Sequence, residues 1–131
     1  MTVWLDANVV IGFLTGEPEG LALRARRIFR RASEGEVALR VPTVTVAEVV
    51  WVLGSYYRVS RGVIADRVRG LILSEGVEVD EEEVVLEAVR LMEDANVSFV
   101  DAFIAASARS RGEAVATFDA DFKRLGVEVV S

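Results

Sequence analysis

Residues 3–9 of the 131-residue chain read VWLDANV, and this stretch indicates the class of fold. The apolar residues 3–5 are typical of a buried strand, and the polar Asp6 and Asn8 follow them at once. From Asn8 to about Leu14 the pattern predicts a short helix. A buried strand that runs through an aspartate into a helix is a typical start for an α/β fold.

The same alternation continues along the rest of the chain. Short strands that are apolar throughout and alternate with helices indicate a parallel sheet with helices on both faces. We therefore expect an α/β fold with a central parallel sheet of about five short strands, in a single domain over residues 1–131. Further strands are predicted at 37–41, 77–79, 114–117 and 127–130, and further helices at 19–33, from 43, at 61–74, after 80, at 99–111 and at 120–125.

Three local details follow from the same pattern. The helix from Thr43 is apolar almost all round, so we expect it to be buried. Asp80 and Ser98 are expected to cap the helices that follow them. The aromatic residues near the end of the Thr43 helix are typical of a core, with a dimer surface as the alternative; they are Trp51, Tyr56 and Tyr57.

The composition excludes several kinds of chemistry. The chain has no cysteine and no histidine, which excludes thiol or imidazole catalysis, disulfides and an ordinary zinc site. Acid–base or metal chemistry must therefore depend on Asp and Glu. The net charge of -6 and the pI of about 4.7 also oppose a protein that wraps nucleic acid with a basic surface.

The beginning of the chain does not resemble a secretory signal, because Asp6 interrupts the apolar stretch. The longest uncharged run, residues 7–16, is well short of the roughly 18 residues that a membrane span needs. We therefore expect a cytoplasmic protein that does not enter a membrane.

The acidic residues have an unusual distribution. Three long apolar segments, residues 1–16, 41–57 and 95–108, each contain one charged residue, and that residue is acidic. A fourth apolar run, residues 114–118, leads directly into an aspartate. An isolated carboxylate in an apolar setting is costly unless it is paired, hydrogen-bonded or bound to a cation. The four residues are Asp6, Glu48, Asp101 and Asp119, and Asp121 follows the last of them.

These four carboxylates are predicted to converge. Asp6 and Asp119 follow strands, and ligands of a parallel α/β sheet bind at the carboxyl ends of the strands. Glu48 and Asp101 lie in the first turns of helices that can lean over the same edge. Clustered carboxylates repel each other unless a cation neutralises them, and oxygen ligands select hard ions such as Mg²⁺ or Mn²⁺. The pattern therefore predicts a metal-dependent site.

A purely structural interpretation exists for three of the four residues. Asp6 and Asp119 occupy helix N-cap positions, where aspartate is common. Asp101, three residues after Ser98, fits a variant of the capping box. Glu48 lies too deep in its helix to cap it, so its position favours a functional interpretation.

Four sequence motifs resemble the signature of PIN domains, specifically the bacterial and archaeal VapC-type toxin ribonucleases. The resemblance runs from residue 3 to about residue 130, and it rests on the order and spacing of the motifs rather than on any one of them. The motifs are LDANV at 5–9, PTVTVAEVV at 42–50, VDAFIAA at 100–106 and TFDADF at 117–122. Phe103 is a mild departure, at a position where the family often has leucine.

This resemblance implies a PIN fold and Mg²⁺- or Mn²⁺-dependent cleavage of RNA. It also implies a homodimer that binds a small antitoxin protein. The implied acidic quartet consists of Asp6, Glu48, Asp101 and Asp119, with Asp121 as a candidate outer member and Asn8 and Thr117 as polar positions beside the site.

Roles within the quartet can be stated as a hypothesis. Asp6 and Asp101 are the principal metal ligands, and Glu48 and Asp119 bind a second ion or metal-bound waters. The metal must bind before the RNA, because four carboxylates repel phosphate. These four residues and Asp121 account for most of the net negative charge, so the rest of the surface is close to neutral.

The helix at 19–33 carries the one dense basic cluster. Its outward face is a candidate contact for RNA, chiefly through Arg24, Arg27 and Arg31. The alternative is a charged outer face that only keeps the domain soluble. Arg26 and Arg30 complete the cluster.

The sequence also has alternatives to a toxin nuclease. One alternative is a PIN-domain nuclease that processes RNA without toxicity. A Mg²⁺-binding receiver-like signalling module is another, but the middle strand lacks a phosphoacceptor aspartate and the single lysine, Lys123, follows the Asp119 turn. A haloacid-dehalogenase phosphatase would have a second aspartate where this chain has Asn8.

Overall fold

The computed structural model describes residues 1–131, which divide into two compact units, Met1–Asp80 and Glu81–Ser131. The first unit contains β1 (Thr2–Trp4), α1 (Ala7–Thr15), α2 (Glu19–Ser33), β2 (Ala38–Val41), α3 (Thr43–Ser55), α4 (Arg61–Ile72) and β3 (Val77–Val79). The second unit contains α5 (Glu82–Ala95), α6 (Phe99–Ser110), β4 (Val115–Ala116), a 3₁₀ helix (Ala120–Leu125) and β5 (Val129–Val130). None of the helices is long and apolar enough to span a membrane.

A parallel three-stranded sheet organises the first unit, in the order β1-β2-β3. Leu39 and Val41 of the central strand are completely buried, as expected for a strand covered by helices. Between them, Arg40 stands in register with Trp4 on one side and Glu78 on the other. The Arg40 guanidinium lies 5.3 Å from the centre of the Trp4 ring, and this cross-strand row ties the three strands together.

Helices α1 and α2 of the first unit pack closely on each other. Gly12 lies at this contact, where a Cβ would be in ordinary van der Waals contact with the Leu21 carbonyl oxygen at 3.6 Å and the Ala25 Cβ at 3.7 Å. The rings of Phe13 and Phe29 stack with their centres 3.8 Å apart. Helix α2 is thus held by small residues and one aromatic pair, and its arginines face outward.

Apolar packing and a short ion-pair network hold the second unit together. Helices α5 and α6 pack on each other, with Val89 and Ala105 among their completely buried residues. Glu87 of α5 pairs with Arg90 on its own helix and with Arg109 of α6, the latter at 3.2 Å. The hydrogen bond from Arg90, aided by the charges of both arginines, lowers the pKa of Glu87 below its ordinary value of 4.5, although partial burial opposes the shift.

The α/β class and the parallel pairing are confirmed, but the expected central sheet of five strands is not observed as one hydrogen-bonded sheet. The five strands form a three-stranded sheet in the first unit and a parallel β4-β5 pair in the second. Strands β4 and β5 have two residues each, shorter than the runs at 114–117 and 127–130 suggested. Apolar runs mark where strands can form, whereas pairing depends on contacts between distant parts of the chain.

The prediction that Asp80 caps α5 is wrong. The Asp80 carboxylate pairs with Arg40 at 2.7 Å, and its N–H donates to the Val41 carbonyl oxygen at 3.0 Å, which continues the β3 pairing. Helix α5 begins at Glu82, after Glu81 turns the backbone through a left-handed conformation with φ 52°. The Asp80 side chain therefore pairs with Arg40 on the neighbouring strand, and no side chain caps the start of α5.

Candidate functional site

Asp6 is the first residue beyond the pairing of β1. The Leu5 N–H donates to the Arg40 carbonyl oxygen at 2.8 Å, and Asp6 then caps α1 from an extended backbone. Its Oδ1 accepts the N–H of Ala7 at 2.8 Å. The predicted N-cap is thus confirmed, but the cap uses one carboxylate oxygen and the exposed side chain keeps the other available.

Helix α3 carries Glu48, and the same helix is hydrogen-bonded to the end of β1. The buried Thr45 hydroxyl donates to the Leu5 carbonyl oxygen at 3.0 Å, which joins the first turn of α3 to the residue before Asp6. Glu48 lies one helical turn after Thr45 and is exposed. The strand end and the helix that carry the first two predicted ligands are therefore coupled by one buried hydrogen bond.

The expectation that α3 is buried on all sides is wrong. Val46, Val49 and Leu53 are buried, but Val44 is 77% exposed and Trp51 is 70% exposed. These two side chains flank Glu48 at helical spacing, so Glu48 lies on an exposed apolar face. Apolar composition alone does not reveal which face of a helix packs against its own fold and which remains open.

Asp101 is the third residue of α6 and is half-buried. The predicted cap by Ser98 is confirmed, since the Asp101 N–H donates to the Ser98 hydroxyl oxygen at 3.1 Å. This bond uses the backbone of Asp101 and leaves its carboxylate outside the cap. The carboxylate is therefore available for a ligand.

Asp119 resembles Asp6 in its surroundings. The Thr117 N–H donates to the Val130 carbonyl oxygen at 3.1 Å and extends the β4-β5 pairing by one residue. The Thr117 hydroxyl oxygen then accepts the Asp119 N–H at 3.0 Å, and Asp119 Oδ1 accepts the Asp121 N–H at 2.8 Å. Thr117, predicted as a supporting polar residue, thus orients the backbone that carries Asp119.

The remaining predicted polar residues differ in their surroundings. Asn8 is exposed in the first turn of α1. Asp121 is exposed and forms an ion pair with Arg124 at 3.2 Å. Its carboxylate already has a cationic partner, which distinguishes it from the carboxylates of the quartet.

The four carboxylates are divided equally, with Asp6 and Glu48 in the first unit and Asp101 and Asp119 in the second. Within neither unit does the structure gather three or more carboxylates into a group that could hold a metal ion. The donor set nevertheless suits a hard divalent cation, because it consists only of carboxylate oxygens. Both capping aspartates keep one oxygen outside the cap.

The basic cluster of α2 is exposed, but its members are not equivalent. Arg31 pairs with Glu36 at 3.0 Å, so one of the three predicted RNA contacts already has an anionic partner. Arg26 and Arg30 line an open groove of about 430 Å³ beside the stacked rings of Phe13 and Phe29. These two arginines, not among the three predicted contacts, are the ones that border a concave surface.

Phe118 was not among the site residues predicted from the sequence. Its ring is fully exposed, directly between Thr117 and Asp119. The strand was predicted at 114–117, and Phe118 was considered only as the end of the apolar run and as part of the TFDADF motif, although it is an aromatic residue flanked by two polar residues. That flanking was the available signal.

Comparison with known proteins identifies the class of protein. A family model of the PIN domain matches residues 3–128, and the chain therefore belongs to the PIN domain family, as the four motifs predicted. The chain is also similar to the VapC ribonuclease of Aquifex aeolicus (strain VF5). The two are 28% identical over 128 residues, which cover 97% of this chain and 94% of that protein.

Proposed function

We propose that this protein is a metal-dependent endoribonuclease of the VapC type and the toxin of a toxin–antitoxin pair. Membership of the PIN family and the likeness to a VapC ribonuclease support the proposal. The observation that carries it is the pair of strand-end aspartates, Asp6 and Asp119. Each is anchored through one oxygen in a helix cap and presents the other. We further propose that residues 1–131 act as a single PIN domain, to which each unit contributes two carboxylates.

The proposed metal ligands are Asp6 and Asp101, with Glu48 and Asp119 holding a second ion or metal-bound waters. Mg²⁺ or Mn²⁺ fits these all-oxygen donors. When bound, such an ion activates a water for attack on a phosphodiester and neutralises charge on the phosphate.

The chain's own residues position these ligands. The cap at Ala7 fixes the side-chain orientation of Asp6, and the Thr45 hydroxyl holds α3 against the end of β1. Thr117 performs the corresponding task for Asp119. The ligands are therefore preorganised by bonds that do not involve the metal.

The proposed partners are an RNA substrate in the cytoplasm, a small antitoxin protein and a second copy of the chain. The exposed aromatic side chains towards the end of α3, Trp51 and Tyr56, provide surface that a second copy would cover. Arg24 and Arg27 remain the proposed electrostatic contacts for RNA, because Arg31 is paired.

Cleavage of labelled RNA tests the catalytic proposal. The wild-type protein should cleave with Mg²⁺ or Mn²⁺ and lose activity in EDTA, and Asp6→Asn and Asp101→Asn should each lower the rate at least about a hundredfold, since each removes a ligand charge worth several kcal/mol. Asp66→Asn is the matched control, because Asp66 is an exposed aspartate that pairs with Arg69 on the outside of α4. Full Mn²⁺-dependent activity in Asp6→Asn would contradict the ligand assignment.

Growth of a host that expresses the protein distinguishes a toxin from a nuclease that processes RNA without toxicity. Induction of the wild-type protein in a bacterial host should arrest growth, whereas induction of Asp6→Asn should not. Co-expression of a short reading frame adjacent to the gene should relieve the arrest if it encodes the antitoxin. Cleavage in vitro without growth arrest would support the processing nuclease instead.

A further inference from the structure

Phe118 is the one phenylalanine of six whose ring is left entirely in water. It is 101% exposed, whereas Phe29, Phe99 and Phe122 are buried. Burying a phenylalanine side chain is worth about 1.5–3 kcal/mol. A fully exposed ring forgoes that stabilisation in the free protein and can gain it when a partner covers the ring.

The backbone around Phe118 is held on both sides. Before it, Thr117 is paired with β5 through the Val130 carbonyl oxygen, and after it the Asp119 N–H returns to the Thr117 hydroxyl. Asp119 then caps the 3₁₀ helix. The ring therefore projects from an ordered turn, and a partner that stacks on it would not have to order a loose loop.

The neighbours of Phe118 indicate which kind of partner suits it. The following residue is Asp119, a proposed metal ligand, and consecutive Cα atoms are about 3.8 Å apart. Asp121 and Lys123 near the turn are polar and exposed, and Thr117 is polar and half-buried. A single flat aromatic ring in polar surroundings matches the face of a nucleobase better than the broad apolar patch of a protein interface.

We propose that Phe118 is a substrate-binding residue that stacks on a nucleobase next to the phosphate held at the acidic site. The inference rests on the proposed function, since it assumes that the carboxylates act on RNA. Stacking tolerates every base, because each has a π face. Phe118 therefore contributes to RNA affinity and positions the RNA strand, but it discriminates little between RNA sequences.

Binding of a short single-stranded RNA to the full chain provides the first test. In buffer with Ca²⁺, Phe118→Leu should bind about 5- to 150-fold more weakly than wild type, the range that corresponds to one stacked base. Phe118→Trp and Phe118→Tyr should bind within about threefold of wild type, because they retain an aromatic face. Leu86→Ala, which shortens a partly exposed apolar side chain of α5, is the control and should leave binding unchanged.

An abasic substitution identifies the stacked base. RNA that lacks this base should bind wild type as weakly as intact RNA binds Phe118→Leu. The abasic RNA should also have the same affinity for both proteins. With 2-aminopurine at that position, fluorescence should be quenched by wild type and not by Phe118→Leu. In Mg²⁺ the leucine variant should raise KM and change kcat little, which separates substrate binding from a disturbed metal site.

Two results would overturn the inference while leaving the proposed function intact. One is equal RNA binding by wild type and Phe118→Leu in a protein that cleaves RNA. The other is an altered oligomeric state in gel filtration with unchanged RNA affinity, which would assign the ring to a contact between copies. Failure of the wild type to bind or cleave RNA with any divalent ion would instead overturn the proposed function, and the inference with it.

Discussion

The two units of the molecule use the same local device in different surroundings. In each, a parallel strand ends, an aspartate follows, and one oxygen of that aspartate caps the next helix. Asp6 does this between a three-stranded sheet and the nine-residue α1. Asp119 does it between a pair of two-residue strands and a six-residue 3₁₀ helix.

The difference shows that the placement of these carboxylates does not require a large sheet. In the first unit the buried Leu5 and the Thr45 hydroxyl hold the strand end in place. In the second unit, where less structure surrounds the turn, the Thr117 hydroxyl braces it locally. A side-chain hydrogen bond from a residue distant in sequence supports the first aspartate, and hydrogen bonds between residues two apart support the second.

The largest expected effect on stability concerns the packing of α2 against the start of β3 in the first unit. Gly76, just before β3, has φ +75°, and a Cβ there would lie 2.5 Å from the Ala32 carbonyl oxygen. Gly76→Ala should lower the free energy of unfolding by about 2–5 kcal/mol, because it combines left-handed strain with overpacking against backbone. Urea denaturation measures the loss.

Gly35→Ala is the matched control for this substitution. Gly35 has φ +79°, but a Cβ there would meet nothing within 4 Å, so only the left-handed strain applies. We expect a loss of about 1–2 kcal/mol. Equal losses for the two variants would show that the contact with Ala32 does not limit the packing of α2 against β3.

The second prediction separates capping from catalysis. Asn caps a helix as well as Asp, whereas Ala does not. Asp6→Ala should therefore be about 1 kcal/mol less stable than Asp6→Asn in thermal unfolding, and the corresponding Asp119 pair should differ by less, because its 3₁₀ helix is short. All four variants should lose nuclease activity.

A larger stability difference for the Asp119 pair than for the Asp6 pair would reverse the comparison between the units. Asn variants that retain activity would contradict the ligand role of the carboxylates. The stability and activity measurements therefore test the two roles of each aspartate independently.

Local patterns predicted much of the fold. The bounds of α2 and β3 agree with the sequence analysis, because Pro18 and Gly35 delimit an amphipathic helix and Gly76 precedes a short β-branched run. The grouping of strands into two sheets was not predictable from those patterns. It depends on pairing between residues far apart in the chain.

For the candidate site, the positions of Asp6 and Asp119 followed from the strand ends that precede them. The exposed face of α3 did not, because an apolar helix has the same composition whether its partner lies within the chain or outside it. Phe118 was not predicted because it continues the apolar run before it, and only the polar residues on either side of it set it apart.

The smallest predicted effect concerns the ion pairs between α5 and α6. Arg90 and Arg109 lower the pKa of Glu87, so the folded state favours the carboxylate. A group with a lowered folded-state pKa stabilises the protein above its unfolded-state pKa and loses that contribution as the pH falls through its folded-state pKa. Glu87 should therefore stabilise the second unit at pH 7, and progressively less below about pH 4.5.

Glu87→Gln tests this pH dependence. The side chain is 34% exposed and solvent screens its ion pairs, so the variant should lose only about 0.5–1 kcal/mol of unfolding free energy at pH 7. Thermal unfolding between pH 7 and pH 3 should show the two proteins converging as the wild-type carboxylate is protonated. Glu113→Gln, which removes an exposed pair with Arg111 after α6, should have a smaller effect. A difference for Glu87→Gln that stays constant with pH would mean that the side chain acts through packing, and that its ion pairs do not stabilise the contact between α5 and α6.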